Sequence, residues 1–252
     1  MTIYDAILPQ TATRFLTAAR PLPHSASPAL IFDLDGTLVD TAPDLLGALN
    51  AVLVRVGRRR VDIADLRHLV GHGARAMLGE AMKMTGAAAE PEALPALVDD
   101  FIVHYREHLA DESVPFPGVV ETLAKLKADG ARLAVLTNKP HELTVKLLPL
   151  LKLDHYFDAV CGAGRMSFTK PDARIFHHVV DELSGAGAGA VMIGDSITDV
   201  ATARAAQAPV IVMSYGYTPE PAHTLGGDIV TDDFREIPEL AARLLGSPQR
   251  RP

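Results

Sequence analysis

Two aspartates two residues apart, Asp33 and Asp35, stand where an apolar run stops and a glycine begins, in ALIFDLDGTLVDT from Ala29 to Thr41. Four apolar residues bounded by a turn signal read as a short buried strand, so both carboxylates leave its carboxyl end pointing the same way. That end is where open α/β sheets bind ligands. Gly36 and Thr37 then supply a tight turn whose backbone N–H groups suit an anion.

Three later clusters belong with this one. Thr137-Asn138-Lys139 follows the strand-like run Arg132 to Leu136, and Gly194-Asp195-Ser196-Ile197-Thr198-Asp199 follows Ala190 to Ile193. Lys170-Pro171 lies between them, preceded by the small-residue stretch Cys161 to Gly164. Singly, TNK could cap a helix, KP could open one, and GDSITD could be a turn with an N-cap serine. In this order they make a set. Asp33, Asp35, Asp195 and Asp199 converging on one sheet edge would repel one another and raise each other's pKa. A hard divalent cation removes that conflict, and Mg2+, which takes one or two carboxylates plus a phosphate, suits the arrangement. Histidine and cysteine clusters of zinc spacing are absent from the sequence, so zinc fits less well.

The elements that must position these groups are legible in outline. Pro209 to Met213 is a further strand-like run, and Asp228 to Leu245 reads as a final strand and helix closing the core. The stripe Val119, Val120, Leu123, Leu126 and Ala131 is the core face of a helix packed on the sheet. Between Asp40 and Arg132 there are far more residues than a crossover needs, so something folded is inserted. Pro43 at a first-turn position, then Leu45, Leu46, Leu49, Val52, Leu53 and Val56 at spacings of three and four, predict a helix ending at Gly57. Further helices are expected over Ile63 to Leu69, Ala74 to Met84 and Leu94 to Leu109.

Together these segments resemble the haloacid dehalogenase superfamily, and within it the phosphoglycolate phosphatase-like branch. The four motifs of that superfamily are similar to DLDGT at Asp33 to Thr37, LTNK at Leu136 to Lys139, Lys170, and GDSITD at Gly194 to Asp199. The resemblance runs from about Ala29 to Leu245 and takes in PFPGVVETLAKLKADG and SYGY; Gln207 stands where relatives commonly have glycine. It implies an α/β fold, a doubly wound parallel sheet of haloacid dehalogenase-like type, with an inserted helical cap. The expected organisation is an extension over 1–28, a catalytic core over 29–42 and 113–246, a cap over 43–112 that lids the sheet edge, and a polar tail over 247–252.

The same resemblance implies a Mg2+-dependent phosphatase. Asp33 is then the nucleophile that becomes a phospho-aspartate, and Asp35 the acid that protonates the leaving alkoxide and later activates water. Thr137, Lys170 and backbone N–H groups near Gly36, Thr37 and Asn138 hold the phosphate oxygens, with Lys170 the one obvious fixed positive charge. Asp33, Asp195 and the backbone carbonyl of Asp35 bind the metal, while Ser196 and Asp199 order the ligands. Dehalogenases of the same fold lack the second acid; Asp35 therefore points away from carbon–halogen chemistry.

Substrate choice should lie in the cap. His72 and Arg75, in Val70-Gly71-His72-Gly73-Ala74-Arg75, could reach the leaving group, and an arginine there would favour a second anion such as a carboxylate. Equally, Gly71 could be a helix C-cap followed by a solvent arginine. His104, His108, His177 and His178 read as surface or packing residues. The leading substrate is 2-phosphoglycolate. A sugar-phosphate mutase of the β-phosphoglucomutase kind would use the same four motifs; a phosphonate hydrolase would need a cap lysine, and Lys83 is the only one. A silent binding protein on this fold conflicts with the intact pair Asp33 and Asp35.

Composition bounds the rest. The 252 residues, 48% of them apolar, can bury a full α/β core. A formal charge of −7 argues against nucleic acid or an anionic membrane surface as a partner; the partner that the resemblance implies is a small phosphorylated metabolite, with the oligomeric state open. The single cysteine, Cys161, excludes an internal disulfide and reads as a small buried hydrophobe. With no apolar run long enough for a membrane helix and no signal-like core in residues 1–28, a cytoplasmic location is expected. A short helix around Ala12 to Ala19 is one expectation for the first segment and a loose tail the other. SGAGAGA from Ser184 to Ala190 precedes a strand and so is a poor phosphate cradle.

Overall fold

A computed structural model describes residues 29–66, 69, 73–185 and 188–246. Expectations for 1–28, for the tail over 247–252, for Val70, Gly71 and His72, including a helix C-cap at Gly71, and for the middle of SGAGAGA lie outside the described residues. Among the described residues no helix is long and apolar enough to cross a membrane.

The chain opens with β1 (Ala29–Phe32), passes through the short β2 (Val39–Asp40), and enters four helices: α1 (Ala42–Arg55), α2 (Ile63–Leu66), α3 (Ala74–Thr85) and α4 (Leu94–Glu107). It returns through β3 (Val114–Pro115), α5 (Val119–Ala128), β4 (Arg132–Pro140), α6 (His141–Leu150), β5 (Ala159–Ala163) and α7 (Ala173–Ser184). The chain closes with β6 (Ala190–Gly194), α8 (Ile197–Ala205), β7 (Val210–Met213), β8 (Ile229–Thr231) and α9 (Ile237–Gly246).

Six strands form one parallel sheet in the order β5-β4-β1-β6-β7-β8. The strands are apolar throughout because both faces are covered. On one face Leu30, Phe32, Leu133, Val135, Val191 and Ile193 pack with α5, α6 and α9; on the other Ala29, Ile31, Ala134, Leu136 and Met192 pack with α7 and α8. That alternation is the period-two pleat, and it makes the sheet doubly wound. β1 lies between β4 and β6, so the carboxyl ends carrying Asp33, Thr137 and Asp195 are neighbours at the point where strand order reverses.

Some details depart from the sequence reading. β5, which contains Cys161, falls where the sequence presents only a small-residue stretch; its short AVCGA lacks the branched bulk that marks a strand, and pairing with β4 makes it one. Val120 is exposed while Val119 is buried, because neighbouring residues on a helix point about 100° apart and only one faces the sheet. Val56 is likewise exposed at the end of α1, and α4 ends at Glu107, two residues short of Leu109, which is nonetheless buried. Gln207 has φ 55°, a left-handed conformation that glycine adopts without penalty.

The helical insertion leaves and re-enters the core side by side. β2 and β3 pair antiparallel, Val39 with Pro115 and Asp40 with Val114. Asp44, buried in the first turn of α1, accepts from the N–H groups of Glu112 (3.0 Å) and Ser113 (2.9 Å) and from the Ser113 hydroxyl (2.6 Å). One carboxylate thereby ties the first turn of α1 to the segment that leads into β3. Removing it strands two N–H groups and a hydroxyl, so Asp44→Ala is expected to cost about 3 kcal/mol, with Asp44→Asn costing less. A urea denaturation midpoint unchanged in Asp44→Ala would show that the tie carries no stability.

Candidate active site

The loop after β1 turns tightly enough to stack its acidic residues over the sheet edge. Gly36 has φ +84°, and an added Cβ there would overlap the carboxylate of Asp195. Only a glycine lets the two loops approach this closely. The turn, however, consumes the N–H groups expected to be free: Gly36 N–H donates to the Val39 carbonyl (3.0 Å) and Thr37 N–H to that of Leu34 (3.3 Å). The N–H groups of Leu34 and Asp35 have no partner among the described residues and are the loop donors left for an anion. The Thr37 hydroxyl is also spent, donating to Asp195 Oδ1 at 2.9 Å in a fully buried position.

Asp33 and Lys170 form the centre. Lys170 Nζ lies 2.9 Å from Asp33 Oδ1 and 2.6 Å from Asp199 Oδ1, with all three side chains buried. Burial alone pulls the ammonium pKa down, yet Asp199 and Asp33 outweigh it and hold Lys170 above its ordinary value, so it stays charged. Burial pushes the Asp33 carboxyl up to about 6; Lys170 opposes this, and Asp199 and Asp35 add to it. Asp33 Oδ1 is buried without a well-directed hydrogen bond, the 2.9 Å approach of Lys170 being off the bonding direction.

Asp195 and Asp199 come from the β6–α8 junction. Asp199 Oδ2 accepts from the N–H groups of Asp195 (3.2 Å) and Ser196 (3.0 Å) and from the Ser196 hydroxyl (2.6 Å), the reciprocal arrangement of a capping box at the start of α8. Both Asp199 oxygens are therefore committed, and its role is to orient Lys170 and the loop. Asp195 takes one hydrogen bond on each oxygen, from Thr37 and from the Tyr217 N–H at 2.8 Å. Burial above all, then Asp199 and Asp33, raise its carboxyl well above the ordinary value.

Asp33, Asp195 and Asp199 each offer an oxygen within 4.8 Å of the others. Buried carboxyls with raised pKa values and an oxygen lacking a directed hydrogen bond fit a hard cation. Asp33 and Asp195 are the two with capacity to spare.

Asp35 points elsewhere. Its Oδ1 accepts from the Thr41 hydroxyl (2.8 Å) and from Lys139 Nζ (2.9 Å), at the wall of a cavity of about 100 Å³ between core and cap. Lys139, buried like Lys170, is a second fixed positive charge that the sequence reading did not assign. The signal was available: Thr137 and Lys139 sit two apart on β4, hence on one side of it, and the Thr137 hydroxyl accepts from the Lys139 N–H at 3.2 Å. Asn138 Nδ2 donates to the Lys170 carbonyl (3.2 Å), joining those two loops. Thr137, Asn138, Lys139 and Lys170 all line the cavity with Asp33, Asp35 and Asp195.

Tyr217 was also missed, since SYGY carries no charge to flag it. Its hydroxyl donates to Asp40 (2.7 Å) and accepts from the N–H groups of Thr41 (2.7 Å) and Ala42 (3.0 Å), linking the Asp195 loop to the root of the cap. The cap gives the cavity an apolar roof from Leu45, Leu69, Met77, Phe101 and Ile102. Arg75 is exposed on α3 and does not line it; Lys83 is exposed and pairs with Glu80 at 2.6 Å. His104 and His108 lie against each other with their rings tilted by 35°, 4.6 Å between ring centres, and like His177 and His178 are not in the cavity wall.

A phosphoglycolate phosphatase of Caulobacter vibrioides is 47% identical over 225 residues, covering 89% of this chain and 95% of that protein. One from Agrobacterium fabrum is 42% identical, covering 90% and 96%. Among solved structures, a predicted phosphoglycolate phosphatase from Haemophilus somnus superposes with a TM-score of 0.77 at 28% identity, covering 86% of this chain and 98% of the other. The family model for haloacid dehalogenase-like hydrolases matches residues 30–213, and the chain belongs to that family.

Proposed function

We propose that the protein is a Mg2+-dependent phosphatase that hydrolyses a small phosphate monoester through a phospho-aspartate on Asp33, with 2-phosphoglycolate as substrate. The observation that carries this reading is the pairing of Asp33, held against Lys170, with a second acid, Asp35, on the cavity side of the same loop. The names and high coverage of the relatives support the choice of substrate. The small cavity supports a small leaving group.

Asp33 attacks phosphorus, and the alkoxide leaves as Asp35 gives it a proton; Asp35 then takes a proton from the water that cleaves the acyl phosphate. Lys170 and the Thr137 hydroxyl, with the free N–H groups of Leu34 and Asp35, neutralise the equatorial oxygens as charge spreads over them. Mg2+ held by Asp33, Asp195 and the backbone carbonyl of Asp35 would supply further charge neutralisation for the phosphoryl group. Asp199 positions Lys170, and the apolar roof excludes water from the ester.

The test is phosphate release with Mg2+ from a panel of esters, with Asp33→Asn beside the native chain. Release from 2-phosphoglycolate well above that from sugar phosphates and nucleotides is expected, and loss of at least about a thousandfold in the variant. Broad, weak release removes the substrate assignment; no release from any ester removes the phosphatase.

The raised carboxyls give a second expectation. An acid whose pKa is higher in the folded than in the unfolded state contributes stability that is complete below its unfolded value, 3.8 for Asp33, and lost as pH rises through about 6. Asp195 acts in the same direction. Without metal, these groups therefore weaken the fold between pH 4 and 7, and a bound cation relieves the repulsion where both are ionised. Thermal melts in EDTA and in Mg2+ should show a larger Mg2+-induced rise in Tm at pH 7.5 than at pH 5. An equal or reversed difference would contradict the assignment of these carboxylates to the metal.

A further inference from the structure

Lys139 and Tyr105 meet beside Asp35, where core and cap come together. Lys139 Nζ donates to Asp35 Oδ1 at 2.9 Å and to the hydroxyl of Tyr105 at 2.5 Å, and it lies 4.4 Å from the centre of the Tyr105 ring. Tyr105 belongs to cap helix α4 and is almost wholly buried, so the contact joins cap to core at the leaving-group side. An ammonium has three donors, and among the described residues two of them are engaged. The phenol accepts from Lys139, and its own proton has no acceptor among the described residues. A buried tyrosine hydroxyl ordinarily finds such a partner. Two unspent donors on adjacent side chains, both lining the cavity, make a receptor for one small anion.

We propose that Lys139 and Tyr105 are the specificity-determining pair that binds the carboxylate of the substrate, an inference that rests on the 2-phosphoglycolate reading. In that molecule one methylene separates the ester oxygen from the carboxylate carbon. The ester oxygen must come within hydrogen-bond reach of Asp35, about 2.6–3.2 Å, to be protonated. The carboxylate then lies beside whatever neighbours Asp35 on the cavity side, and that neighbour is Lys139. Burial of a carboxylate against the apolar roof is costly without a charged partner. Among the described residues the cationic side chains lining the cavity are Lys139 and Lys170, and Lys170 is held between Asp33 and Asp199. Arg75, exposed and outside the cavity wall, is not the carboxylate partner in this arrangement.

The test compares kcat/KM for 2-phosphoglycolate with that for ethyl phosphate, which has the same length and no carboxylate, in the native chain, Lys139→Met, Lys139→Arg and Tyr105→Phe. The native enzyme should favour the carboxylate ester strongly. Lys139→Met should lower the ratio of the two values by about 10- to 100-fold, the worth of a charge-assisted contact, with Lys139→Arg retaining part of the preference and Tyr105→Phe losing a smaller share. Each ratio is taken within one preparation, so a reduced folded fraction cancels. Should Lys139→Met turn over too slowly, the ratio is read from competitive binding of the two esters in an Asp33→Asn background. Parallel losses on both esters, with the native preference strong and the ratio unchanged, overturn the assignment of Lys139 and leave the substrate reading standing. A native enzyme that hydrolyses other esters but not 2-phosphoglycolate overturns both.

Discussion

Four carboxylates crowd one edge of the sheet, and the surrounding structure is organised by what that repulsion demands. Asp33, Asp35, Asp195 and Asp199 face two buried ammonium groups, Lys139 and Lys170, so these six side chains leave a formal excess of two negative charges. Such an excess is expensive in a buried site unless each oxygen is directed at a donor or a cation. The donors come from every part of the core: Thr37 and Tyr217 to Asp195, Ser196 to Asp199, and Thr41 to Asp35. A divalent cation has the charge that remains.

The division of labour among chemically identical groups follows from these partners. Asp199 has both oxygens saturated and serves as an anchor for Lys170 and the N-terminus of α8. Asp33 keeps an oxygen without a directed hydrogen bond. Asp35, turned to the other side of its loop, meets Lys139 and the cavity. Four aspartates thus occupy different electrostatic settings within one site, and that difference is what the proposed nucleophilic attack, proton transfer and ligand positioning would require of them.

The cap is connected to this chemistry through polar links as well as through the apolar roof. Tyr217 joins the Asp195 loop to Asp40, Thr41 and Ala42, where the cap begins, and Lys139 joins Asp35 to Tyr105 on α4. Asp44 holds the first turn of α1 to the returning chain at Ser113. The helices that enclose the cavity are consequently referenced to the same residues that line its floor.

Much of this was legible in the sequence because it rests on local patterns. β1 could be read from Ala29 to Phe32, the helices of the insertion from their apolar spacing and Pro43, and the convergence of Asp33, Thr137 and Asp195 from where polar clusters follow strand-like runs, whereas Lys170 joined them only through the family resemblance. β5 was not legible, since its small residues become a strand only by pairing with β4. The turn donors were misplaced: whether the N–H of Gly36 or of Asp35 is free depends on how the loop folds back on Val39 and Leu34. Lys139 and Tyr105 lie 34 residues apart in different parts of the chain, and only packing of cap on core brings the ammonium to the phenol. Residue type and spacing determine which groups an element presents and at which end, because strand and helix periodicity are local. Which of those groups meet, and how their charges are shared, is decided by tertiary packing, because hydrogen bonds and burial act between residues that sequence distance does not relate.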